Sequence, residues 1–60
     1  MFQIRDTETN RVLETGRGSK TVKEAIDALY ELLSPNLECP RSDFNIDDVD
    51  FFGYKIEKET

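Results

Sequence analysis

A small α+β domain of β-β-α-β order is what this sequence predicts, and three observations carry the prediction. Phe2 and Ile4 alternate with Gln3 and Arg5 ahead of a polar turn and a second short extended run. Val22, Ala25, Ile26, Leu29, Tyr30 and Leu33 then recur at helical spacing, one stripe of an amphipathic helix. Finally, Phe52, Tyr54 and Ile56 return to a period of two.

The first strand has Phe2 and Ile4 on its core face. Asp6-Thr7-Glu8-Thr9-Asn10 is turn chemistry, because short polar side chains bond nearby backbone groups and Asn tolerates the left-handed region. Arg11-Val12-Leu13-Glu14-Thr15 reads as a second strand, and the short connection makes an antiparallel hairpin. Gly16-Arg17-Gly18-Ser19 ends that hairpin. Thr21 followed by Glu24 is a capping-box signature that opens the helix. Lys23, Glu24, Asp27 and Glu31 occupy its polar side, and Pro35 stops it by steering Ser34 away from the α region. Asn36 to Ser42 reads as loop. Phe51 to Glu57 reads as the third strand, with Gly53 marking a bulge or a close backbone approach and the tail from Lys58 fraying.

One helix on one face of this sheet buries its stripe against Phe2, Ile4, Phe52, Tyr54 and Ile56. The third strand is expected antiparallel to the first, in strand order 2-1-3. Sixty residues sit near the lower limit for folding without a staple. A three-stranded sheet also leaves one open face and two edges, so homodimerisation through either is a natural expectation.

Composition narrows the functional classes. Cys39 is the single cysteine and there is no histidine, which excludes Cys/His zinc patterns within one chain. A lone thiol ahead of Pro40 suits a reducing compartment, and the N-terminus carries no basic leader or apolar stretch. Ala25 to Leu33 is too short and too charged to cross a bilayer. The expectation is a cytoplasmic protein without cofactors. Charge is divided: residues 1–23 hold five bases against three acids, whereas residues 24–60 hold three bases against ten acids. A surface so acidic on one side repels phosphate and favours a basic partner.

Two catalogue motifs begin here and fail. Gly16-Arg17-Gly18-Ser19-Lys20-Thr21 opens a helix as a phosphate loop does, but Ser19 separates Gly18 from Lys20 and Leu13 holds the earlier glycine position. What survives is an anion held by free N–H groups, Arg17 and Lys20, against the plainer reading of a capped connection. Asp43, Asn45 and Asp47 match the first ligands of a calcium loop, but Asp48 replaces its glycine and Tyr54 its bidentate glutamate. For catalysis no histidine base is present, Cys39 lacks a partner to lower its pKa, and nothing places an aspartate in an apolar pocket. The chain reads as a non-enzyme.

From Asp43 to Phe52 four carboxylates interleave with five large apolar residues and no base. In one reading Phe44, Ile46 and Val49 dock this segment on the core and the aspartates face water. In the other, Asp43, Phe44, Asp47, Asp48, Asp50 and Phe51 form an acidic-aromatic surface that fills a basic groove on a partner protein, with Asp27, Glu31 and Glu38 extending it. A different class, a dimeric nucleic-acid binder, would use Arg5, Arg11, Arg17, Lys20 and Lys23.

The run Phe2-Gln-Ile-Arg-Asp-Thr-Glu-Thr-Asn-Arg-Val-Leu, one amphipathic helix and the aromatic run Phe51 to Glu57 resemble short phage and bacterial accessory proteins. The β-β-α-β order is similar to that of small phage-encoded inhibitors of host RNA polymerase and of uracil-DNA glycosylase. The resemblance implies an acidic surface that blocks or imitates nucleic-acid contacts, a DNA mimic aimed at a nucleic-acid-processing enzyme. It assigns no individual site residue.

Overall fold

The computed structural model describes residues 1–59. Its elements are strand β1 (Phe2–Asp6), strand β2 (Arg11–Val12), helix α1 (Val22–Leu33), helix α2 (Ile46–Phe51) and strand β3 (Tyr54–Lys58), with 3₁₀ turns at Ser34–Asn36 and Arg41–Asp43. All three strands are antiparallel in the order β2-β1-β3, as the sequence predicts. The register sets Ile4 against Ile56 and Arg5 between Val12 and Lys55. Side chains alternate along a strand, so Ile4 and Ile56 share the core face while Gln3, Arg5, Val12, Lys55 and Glu57 share the open one.

The core is Ile4, Ala25, Ile26, Leu29, Phe44 and Val49, with Phe2, Leu13, Tyr30, Leu33, Leu37, Tyr54 and Ile56 packed around it. Helix α1 supplies its predicted stripe except at Val22, which is exposed. Its start is a variant of the capping box. Thr21 Oγ1 accepts from the Glu24 N–H at 3.1 Å, but the Glu24 carboxylate reaches one residue further back and accepts the Lys20 N–H at 2.7 Å.

Four local expectations are corrected. The second strand is two residues long, because Gly16 (φ +84°) and Gly18 (φ +77°) turn the chain back early. Leu13 still donates to the Ile4 carbonyl at 2.8 Å, and Ser19 accepts from the Phe2 N–H at 2.7 Å. Ser34 keeps an α conformation (φ −53°, ψ −35°), because Pro35 enters a 3₁₀ turn instead of ending helical structure outright. The third strand starts at Tyr54, not Phe51, since Phe51 ends α2 and Phe52–Gly53 form the turn between them. Nor does the tail fray at Lys58: Glu59 donates to the Met1 carbonyl at 2.8 Å, and its carboxylate accepts the Gly18 N–H at 2.7 Å.

Among the described residues no helix is long and apolar enough to cross a membrane.

Candidate interaction surface

The acidic segment is not a loop but a short helix. Asn45 caps α2: its side chain accepts the Asp47 N–H at 3.0 Å, and the Asp48 carboxylate accepts the Asn45 N–H at 2.9 Å. This reciprocal capping offsets the weakness of a six-residue helix, and Asp47 and Asp48 in its first turn complement the helix dipole.

At about 100° per residue, the six positions divide cleanly around the helix. Val49 points inward and is 1% exposed. The opposite direction falls between Asp47 and Phe51, with Asp50 and then Ile46 to one side. Phe51 is 81% exposed, Ile46 49% and Phe52 44%. The face that α2 turns to solvent therefore carries two carboxylates and a fully presented aromatic ring.

That ring is held by others. Tyr30 meets Phe44 edge-on at 5.6 Å between centroids, Phe44 meets Phe52 at 6.1 Å, and Phe52 meets Phe51 at 5.3 Å with the planes at 89°. A series of aromatic contacts thus runs from the core to the surface and ends at Phe51.

The predicted surface residues do not all belong together. Phe44 is 1% exposed and is the largest fully buried side chain, so it anchors the segment and cannot meet a partner. Asp48 is half-buried and engaged in the cap. Asp43 is exposed in the preceding 3₁₀ turn, separated from α2 by the buried Phe44. Asp47, Asp50 and Phe51 are the members brought onto one face, and Ile46 joins them unforeseen. Of the proposed extensions, Asp27 is engaged: it pairs with Arg41, whose Nη1 also donates to the Phe44 carbonyl at 2.7 Å. The same arginine closes one side of a shallow depression of about 450 Å³ lined also by Tyr30, Glu31 and Ser34. Arg41 thereby ties α1 to the segment that carries α2, and Tyr30 does so again by donating to the Cys39 carbonyl at 2.7 Å.

The basic residues are scattered. Arg5 lies on the open sheet face, where its Nε donates to Glu57 Oε1 at 2.7 Å and its Nη1 to the Asn10 carbonyl at 2.8 Å. The hydrogen bond from Arg5 holds the Glu57 carboxyl below the usual glutamate range, and the same bond raises the Arg5 guanidinium. Arg17 approaches Glu14 at 3.8 Å. Lys20 and Lys23 stand at the start of α1, across the sheet from Arg5, and Arg11 lies on the β2 edge. At the glycine loop, two of the N–H groups expected to hold an anion already bond the carboxylates of Glu24 and Glu59. Among the described residues no group of three His, Cys, Asp or Glu side chains is arranged to hold a metal ion.

The class this geometry defines is a three-stranded antiparallel α+β domain with a short capped acidic helix displayed at one end. Set against known protein families, characterised proteins and solved structures, the chain matches none.

Proposed function

We propose that this chain is a small non-enzymatic interaction module that binds a basic surface of a partner protein through Asp47, Asp50 and Phe51 on α2. Asp43 and the apolar side chain of Ile46 lie at the margin of this face. The observation that carries the reading is Phe51: a phenylalanine 81% exposed, held edge-on by Phe52 and flanked by carboxylates. Aromatic rings restrained before binding are typical interface anchors, and surrounding charge steers the encounter.

A second feature supports it. Asp50 sits in the last turn of α2, where the helix dipole disfavours a negative charge and the helix itself supplies no basic residue. Among the described residues Asp50 makes no internal side-chain bond where it stands, and Phe51 contributes little to the core. A basic groove that normally holds nucleic acid is the partner this surface fits best, since carboxylates can stand where phosphates would. The nucleic-acid-binding alternative has less support, because Arg5 and the glycine loop are engaged by the chain's own carboxylates.

The experiment is retention of proteins from nuclease-treated bacterial lysate on the immobilised chain, beside a variant with Asp47→Asn and Asp50→Asn. One protein retained by the native chain, released by salt and lost in the variant, is the expected result. Retention that ignores both salt and the substitutions contradicts the reading. Nucleic acid retained from an untreated lysate in place of protein would favour the basic alternative.

A further inference from the structure

The outer edge of β3 is open along its length. Thr7 donates to the Gly53 carbonyl at 2.9 Å and Glu59 to the Met1 carbonyl at 2.8 Å, so the ladder to β1 uses odd-numbered residues on both strands. Ile4 and Phe2 instead bond Leu13 and Ser19 on the other side of β1. Because both backbone groups of a residue point the same way in an antiparallel ladder, Tyr54, Ile56 and Lys58 turn their N–H and C=O groups outward. Among the described residues none of these has a backbone partner. The opposite edge, β2, is only two residues long.

We propose that this edge is a homodimer seam, in which β3 pairs antiparallel with β3 of a second copy about a two-fold axis at Ile56. The charge pattern selects both the occupant and the register. Centred on Ile56, the run Tyr54-Lys55-Ile56-Glu57-Lys58 sets Lys55 of each copy opposite Glu57 of the other, and Ile56 opposite Ile56. Sliding the pair by two residues sets Lys55 against Lys55 one way and Glu57 against Glu57 the other, each a like-charge pair directly opposed. An intermediate slide mismatches the outward-facing groups, since these lie only on alternate residues.

The core side of the seam is also prepared. A groove of about 210 Å³ lies between α2 and β3, lined by Ile46, Val49, Asp50, Tyr54, Lys55 and Ile56. In this register Ile56 of the second copy enters beside it, and Lys58 of the second copy lands opposite Tyr54 on the face that Asp50 overlooks. The product is one six-stranded sheet in the order β2-β1-β3-β3-β1-β2, with helices of both copies on one side. Edge lysines ordinarily discourage pairing between strands. Here the charges of Lys55 and Glu57 disfavour the two neighbouring registers.

The seam adjoins the α2 surface at Asp50 and Ile46 but rests on the β3 backbone, and its test does not use a partner. Sedimentation equilibrium over a concentration series is run on the native chain, on Lys55→Glu, and on a synthetic chain N-methylated at the Ile56 amide. Among the described residues Lys55 forms no ion pair, and the Ile56 N–H points outward, so neither change removes a bond within a protomer; Lys55→Glu sets a carboxylate opposite Arg5, and circular dichroism of each confirms the fold. The native chain is expected to reach the mass of two protomers. Lys55→Glu turns both cross-seam attractions into repulsions and is expected to weaken the dimer by about tenfold or more. The N-methylated chain is expected to remain a folded monomer. A native chain that stays monomeric throughout, a Lys55→Glu dimer as tight as the native one, or an N-methylated chain that still dimerises overturns the proposal.

Discussion

Gly16 sits at φ +84°, and a Cβ built there would lie 2.6 Å from Ile4 Cδ1, a side chain with no solvent exposure. Backbone strain and overpacking act together at this residue. Gly16→Ala is expected to lower stability by about 2 kcal/mol, measured by urea unfolding. That is a large share of the total for a domain of this size, which is on the order of 3–9 kcal/mol. Gly18 has a similar φ but open space around it, so the same change there costs less. On the open sheet face, Glu57 binds its proton less readily in the folded chain than in the unfolded one, chiefly because Arg5 donates to it. Its contribution to stability is complete above the ordinary glutamate range and is lost as pH falls through its lowered value. Glu57→Gln is therefore expected to flatten the acid limb of a stability–pH profile while leaving the limb above neutrality unchanged. The glycine's role in the turn was legible in the sequence; its contact with Ile4 was not, because it joins residues far apart in the chain.

At the scale of elements, α1 could be read almost completely, since its stripe runs for three turns and its cap has a recognisable signature. Helix α2 was missed for the opposite reason. Six residues are too few for a period of 3.6 to declare itself, and the alternation of aspartates with apolar residues suggests a docked loop equally well. A signal was present nonetheless: Asn45 followed by Asp48 is a shortened form of the capping box that announced α1. The consequence reached the candidate site. Without a helix, the acidic-aromatic reading gave Phe44 and Phe51 the same role, whereas the fold buries the first and displays the second. The two ends of α2 should respond differently to loss of a polar group. Asn45→Ala removes the cap and is expected to cost about 1 kcal/mol. Asp50→Asn relieves a charge opposed to the helix dipole and is expected to stabilise by about 0.3–1 kcal/mol, while weakening partner binding. Thermal unfolding of the two variants side by side checks the contrast.

Over the whole molecule, strand order, antiparallel pairing and the face that α1 covers all followed from patterning, because each depends on periodicities that a short chain states plainly. Charge distribution was legible as a total and not as a surface. The acidic half divides into carboxylates that serve the fold, at Glu24, Asp27, Asp48, Glu57 and Glu59, and others that serve no internal bond among the described residues, at Glu31, Glu38, Asp43, Asp47 and Asp50. Within the second group, Asp47 and Asp50 are the two that stand beside Phe51 on α2. The open sheet face carries Arg5, Lys55 and Glu57 and is too polar to associate by apolar burial. Of the sites expected for association between copies, the β3 edge is the one that remains suited to it.

Phe51→Ala separates recognition from folding, because it removes the displayed ring from the surface and leaves the core untouched. The variant and the native chain are compared by urea unfolding and by retention of the partner from nuclease-treated lysate. The expected result is an unfolding free energy within about 0.5 kcal/mol of native, as for an exposed position, together with loss of the retained protein. Undiminished retention by a folded Phe51→Ala chain would contradict it.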